Sequence, residues 1–333
     1  MRTQTNFLIN YKDIIMKICL ISYDSTYYDH NIIDELKRRN IDANHIDASK
    51  FKYKYTSIFD KIQNSINKTF FNKNKKTTAL ENYLVEQVKE FGHHDAILFI
   101  RPDKISRETH LELKKLTHKY LAYIYDSCRR FPIDNIVDGV FDEIFSFDLI
   151  DVKKHQLTFI SNYIYMEKRA ITLENANENI FIVISIDERF TFLNNLANYL
   201  SSHSIPFKFM LVGKKPPENI NQNIIYSKGL IFPEDLKADF ENSKIFLDLI
   251  RKDHNGLSFR IFEALAMQKK IITTNKSISE YDFYNPNNIL ILDENDSNIN
   301  IPEDFLTTPY QPLSPETFHK YTIENWVKTV FQL

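Results

Sequence analysis

Apolar runs of strand length recur along this chain, each followed by a stretch of helical periodicity, with no hairpin turn between one run and the next. Lys17–Ser22, Asp95–Ile100, Tyr120–Tyr125 and Glu143–Phe147 are such runs in the first half. Phe181–Ile186, Phe207–Val212 and Ile245–Ile250 follow in the second. Strands that never turn straight back must be joined by crossover helices, so the pattern demands parallel sheets in an α/β arrangement. In such sheets the functional edge lies where strands end and helices begin.

The 333 residues are ample for two units with separate cores. The polar stretch Met166–Asn179 reads as the linker. The expected division is an N-terminal extension over 1–15, a first unit over 16–168, a second over 176–312 and a C-terminal helix within 313–333. That helix, Pro315–Phe331, carries Phe318, Tyr321, Ile323, Trp326, Val327, Val330 and Phe331. It is too apolar to stand free and is expected to pack back across the first unit.

Charge and special residues narrow the function. The formal net charge is -2, which gives no broad basic field for nucleic acid. The local run Lys68–Lys76 reads as a solvated or membrane-facing loop. Two cysteines, Cys19 and Cys128, make no disulfide framework and fit a reducing cytoplasm. No apolar run approaches the roughly 20 residues that span a bilayer. Only five glycines occur, and neither a dinucleotide-binding loop nor a Walker motif is present. With no Asp-x-Asp triplet and no His/Cys ligand cluster in the sequence, a bound metal is not expected.

Asp253–Asn275 carries the densest chemistry. It reads as a loop ending at Gly256, a helix that Ser258 can cap, and a short apolar strand. Leu257, Ile261, Phe262, Leu265 and Ala266 have buried-face spacing, whereas Gly256, Arg260 and Glu263 share a neighbouring face. Free N–H groups, the positive end of the helix dipole and a guanidinium would favour an anion there. Glu263, one turn deeper, could accept two hydroxyls, as a ribose offers. Spacing alone describes an i,i+3 ion pair between Arg260 and Glu263 on a solvated face at least as well.

This segment resembles the nucleotide-sugar motif of retaining GT-B glycosyltransferases, with Glu263 at the second Glu and Asn255 where the first would stand. Leu211–Pro216, with Gly213 and Lys214, and the turn at Gly229 resemble the neighbouring strand end and turn, and Arg189 stands at the diphosphate-binding lysine. A narrower likeness, over Asn255–Leu265 and over Phe141–Asp148 with its following aromatic stretch Phe159–Tyr165, is to bacterial capsule, lipopolysaccharide and exopolysaccharide glycosyltransferases. The resemblance implies two Rossmann-like domains with parallel sheets and an inter-domain cleft. It implies a nucleotide-sugar donor as substrate, no separate cofactor, a glycan or glycolipid acceptor, and a cytoplasmic protein with peripheral contact at the inner membrane face. Where retaining relatives have a donor-touching histidine, this chain has Asp126, which could bind sugar hydroxyls, take a proton or cap a turn. His30 and Asp24, after the first strand, are the other base candidates. A catalytically silent scaffold of the same fold and a sugar-nucleotide epimerase remain open beside the transferase.

Overall fold

The computed structural model describes residues 16–24, 27–71, 74–168, 178–229, 231, 233–296 and 298–333. The 1–15 extension and most of the 166–179 linker lie outside the described residues.

The first domain runs β1 (Lys17–Ser22), α1 (His30–Arg38), β2 (Asp42–Asp47), α2 (Ile58–Phe71), α3 (Lys75–Phe91), β3 (His94–Ile100), α4 (Arg107–Lys114), β4 (Thr117–Ile124), β5 (Glu143–Ser146), α5 (Leu149–His155) and β6 (Thr158–Phe159). Its six strands are all parallel, in the order β2-β1-β3-β4-β5-β6. Ile18, Cys19, Leu20 and Ile21 are fully buried, as a strand covered on both faces requires. Cys19 and Ile21 point into one apolar cluster and Ile18 and Leu20 into the other, following the period of two.

The second domain repeats the plan with β7 (Glu178–Ser185), α6 (Phe190–Ser202), β8 (Phe207–Val212), β9 (Ile225–Ser227), α7 (Lys237–Asn242), β10 (Ser243–Asp248), α8 (Phe259–Ala266), β11 (Lys270–Thr273), β12 (Ile289–Ile291) and α9 (Glu303–Thr307). Its six strands are also parallel, ordered β12-β11-β10-β7-β8-β9. The order turns back at β7 and β10, and the site described below sits off their carboxyl ends.

The closing apolar stretch forms two helices where the sequence suggests one. α10 (Pro315–Lys320) ends before Thr322, whose hydroxyl caps α11 (Ile323–Phe331) by accepting from the Asn325 amide. The break is held by Ile164, whose amide donates to the Tyr321 carbonyl and whose carbonyl accepts from the Ile323 amide. It also marks the crossing between domains. Phe318 and Tyr321 pack in the second domain's core, whereas Trp326, Val327, Val330 and Phe331 pack against the first domain's β1 and α1. Phe159–Tyr165, read as one aromatic strand, pairs with β5 only over its first residue. Tyr163 stays in the first domain's core, whereas Ile164 packs in the second domain's core and Tyr165 donates to Glu263.

Candidate active site

The loop between β10 and α8 meets the first domain closely. The ring of Phe147 lies over Gly256, where an added Cβ would come within 2.4 Å of ring carbons. The Asn255 amide donates to Asp148 Oδ2 at 3.2 Å, and Asn162 Nδ2 donates to the Leu257 carbonyl at 2.9 Å. Leu257 itself is fully buried core. Asn255 leaves its Nδ2 buried without a partner. Arg129 spans the domains to Asp253, and His254 Nε2 lies 2.6 Å from Asp126 Oδ1.

Beside this seam lies a cavity of about 410 Å³, lined by Arg189, Arg251, Ser258, Arg260 and Glu263 from the second domain and by Tyr28 and Asp29 from the first. Ser258 occupies the N-cap position of α8, but its side chain does not cap it. The hydroxyl donates instead to Asp248 Oδ1 at 2.7 Å, while Thr273 donates to Oδ2 at 3.0 Å. Turned towards the buried Asp248 carboxylate, the hydroxyl oxygen accepts from no α8 amide, which leaves the start of α8 without a side-chain acceptor.

Arg260 and Glu263 make no ion pair with each other. Arg260 Nη2 donates to the Val183 carbonyl at 3.1 Å, and its Nε is buried without a partner. Glu263 is 3% exposed, and its Oε1 accepts from Tyr165 at 2.7 Å and from Tyr28 at 3.2 Å. Tyr28 is held flat against Phe259, ring centroids 4.1 Å apart. Burial, and then the Glu263 charge, raise both tyrosine hydroxyls well above their ordinary range, so they stay neutral donors.

Arg189 grips Asp187 with Nε at 2.8 Å and Nη2 at 2.6 Å and donates from Nη1 to the Leu249 carbonyl. Arg251 approaches the same carboxylate at 3.3 Å, so two guanidiniums share one negative charge at the cavity wall. That surplus suits a polyanion.

The carboxylate facing the cavity from the first domain is Asp29, which sequence reading missed. It is 3% exposed, with Oδ2 buried and unpartnered. Burial, with Asp24 and Asp47 nearby, pushes its carboxyl up to about 8, against a smaller pull from the Ser22 hydroxyl.

The three base candidates read from sequence are placed otherwise. Asp24 caps the turn into α1, accepting from the Asp29 and His30 amides at 3.2 and 2.9 Å. His30 projects into solvent, 3.6 Å from Asp34. Asp126 lies off the cavity, paired with His254 and near Arg101 and Arg130. Burial would raise its carboxyl, but the hydrogen bond with His254 and the guanidiniums of Arg101 and Arg130 hold it below the usual range. Gly213, Lys214 and Gly229 follow β8 and β9 at the same sheet edge, outside the cavity lining. Gly229 has φ +117 with open space around it.

Folding also assembles Cys128, Asp151 and His155, whose ligand atoms lie within 4.8 Å of one another, a group that sequence reading did not find. Burial and the adjacent Asp151 raise the Cys128 thiol strongly, so it stays protonated in this state.

No family model matches the chain, and no curated protein matches it. Solved structures do. The apo structure of OtsA has a TM-score of 0.56 over 94% of this chain and 98% of that one, at 10% identity. The chain has a GT-B fold. Within that fold, the trehalose-6-phosphate structure from E. coli bound with UDP-2-fluoro glucose has a TM-score of 0.54, covering 95% and 99% of the two chains at 10% identity. The UDP-GlcNAc 2-epimerase from Methanocaldococcus jannaschii has a TM-score of 0.51, covering 96% and 100% at 13% identity. At such identities the likeness is one of architecture.

Proposed function

We propose that this protein is a glycosyltransferase that moves a sugar from a nucleotide-sugar donor to a glycan or glycolipid acceptor in bacterial surface-glycan assembly. One observation carries the reading: a single inter-domain cavity has arginines and a buried glutamate on one wall and a protonatable carboxylate on the other. Glu263 takes the ribose hydroxyls in place of the tyrosine hydroxyls it now accepts. Arg260 and Arg251, with the uncapped start of α8, hold the diphosphate and stabilise the charge that grows as the anomeric C–O bond breaks. The acceptor hydroxyl forms the new bond to the anomeric carbon and passes its proton to Asp29, and the nucleotide leaves with the bonding electrons. This single displacement inverts the anomeric configuration. The positive charge comes from side chains in fixed geometry, with no metal required.

Thermal-shift screening with UDP-, GDP-, CDP- and CMP-sugars finds the donor, followed by transfer to lipid-linked and free glycans. Stabilisation by one nucleotide class and acceptor-dependent release of the nucleotide are expected. Turnover of the sugar nucleotide with no acceptor present would favour an epimerase, an activity found on this fold in the Methanocaldococcus jannaschii protein.

A further inference from the structure

α2 is turned inside out. Ile58, Phe59, Ile62 and Ile66 are 77%, 83%, 52% and 48% exposed, and at 3.6 residues per turn they form one stripe. The residue on the opposite side of the wheel is Asn64, which is 4% exposed. Its Nδ2 donates to the Tyr55 hydroxyl and Asn74 Oδ1, and its Oδ1 accepts from the Lys75 amide. A polar side chain therefore anchors the helix to the first domain, and the apolar face looks outward. This is the reverse of what a globular surface selects.

The surrounding charge is equally one-sided. Phe51–Lys76 contains seven lysines and one acidic residue, Asp60, in a chain whose formal net charge is -2. Asp60 is already neutralised by Lys75 at 2.7 Å, while Lys52, Lys54, Lys61 and Lys76 are exposed. A second copy of the chain would bring the same positive field against itself. An apolar stripe flanked by lysines matches the interfacial zone of an anionic bilayer, with isoleucine and phenylalanine among the acyl chains and ammonium groups at the phosphates.

We infer that α2 seats the protein on an anionic lipid surface through Ile58, Phe59, Ile62 and Ile66, with the flanking lysines reading the headgroup charge. The consequence for substrate, that the acceptor is lipid-linked and reaches the cavity past the first domain from the membrane plane, rests on the glycosyltransferase reading. The docking itself does not.

The test is co-sedimentation of the full chain with vesicles of phosphatidylcholine alone and with phosphatidylglycerol added. Binding to the anionic vesicles only, weakening with salt, is expected. The variant Ile58→Ser/Phe59→Ser/Ile62→Ser should lose binding on the order of tenfold or more. Lys52→Gln/Lys54→Gln/Lys61→Gln/Lys76→Gln should lose the preference for anionic lipid. Both alter exposed positions, and an unchanged melting temperature confirms that they fold. Equal binding to both vesicle types, no binding, or lipid binding unaltered by the serine variant overturns the inference. So does lipid-free self-association that the serine variant abolishes, which would assign the face to a second copy. Nucleotide-sugar thermal shifts measured on the same preparations separate the two claims, because failed donor binding with intact lipid binding sinks the transferase reading alone.

Discussion

Gly256 lies directly under the ring of Phe147, and no other residue fits there without moving that ring. The glycine comes from the second domain and the phenylalanine from the buried core of the first, so their contact sets how closely the domains approach. Gly256→Ala should destabilise the protein by about 1–3 kcal/mol through overpacking. It should also weaken donor binding, because the same loop leads into α8. Denaturant melts and nucleotide titration on the variant check both effects.

Asp29 makes two linked predictions. Its carboxyl, raised by burial to about 8, binds a proton in the folded state that the unfolded chain has released above about 4. Ionising it disfavours the fold, so wild-type stability should fall as pH rises from about 4 to about 8, by up to about 1.4 kcal/mol per unit. Asp29→Asn removes this dependence and should gain on the wild type across that window. The same substitution should lower transfer by about 10²–10⁴-fold and leave donor affinity intact. Wild-type activity should rise with pH towards a plateau above about 8.

Asp126 and His254 meet across the seam between the domains, with His254 Nε2 2.6 Å from Asp126 Oδ1. With its carboxyl held below the usual range, Asp126 contributes stability that is present above the unfolded value near 3.8 and lost as pH falls through the lower folded value. Asp126→Asn should therefore cost about 1–3 kcal/mol at neutral pH, and the difference should shrink as pH falls below about 3.8. Urea melts at pH 7 and pH 3 measure it.

The parallel sheets were legible because strand-length apolar runs without hairpin signals admit few other folds. The buried face of α8 was legible for the same kind of reason, since Ile261, Phe262 and Leu265 follow helical spacing and are all core, while Leu257 is buried from the loop that precedes the helix. Pairings that depend on distant residues were not legible. Ser258 has a capping sequence but prefers Asp248, ten residues upstream in the adjacent strand. The closing helix breaks where Ile164, more than 150 residues away, pairs with its backbone. Asp29 looked like part of a polar loop, Tyr23–His30. Its burial comes from folding, and the rule that strand ends carry function pointed to the loop but to His30 and Asp24 within it. Cys128, Asp151 and His155 come from a loop and a helix that only the fold places together.

The most direct measurement is isothermal titration of UDP, GDP, CDP and CMP into the wild type and into Glu263→Gln, an isosteric change that keeps the side chain's volume beneath Tyr28 and Tyr165. Tight binding of one nucleotide class by the wild type, weakened about 10- to 100-fold in a variant with an unchanged melting temperature, is the predicted result. Equal affinity in both proteins, or no nucleotide bound by the wild type, would contradict the placing of a donor's ribose on Glu263.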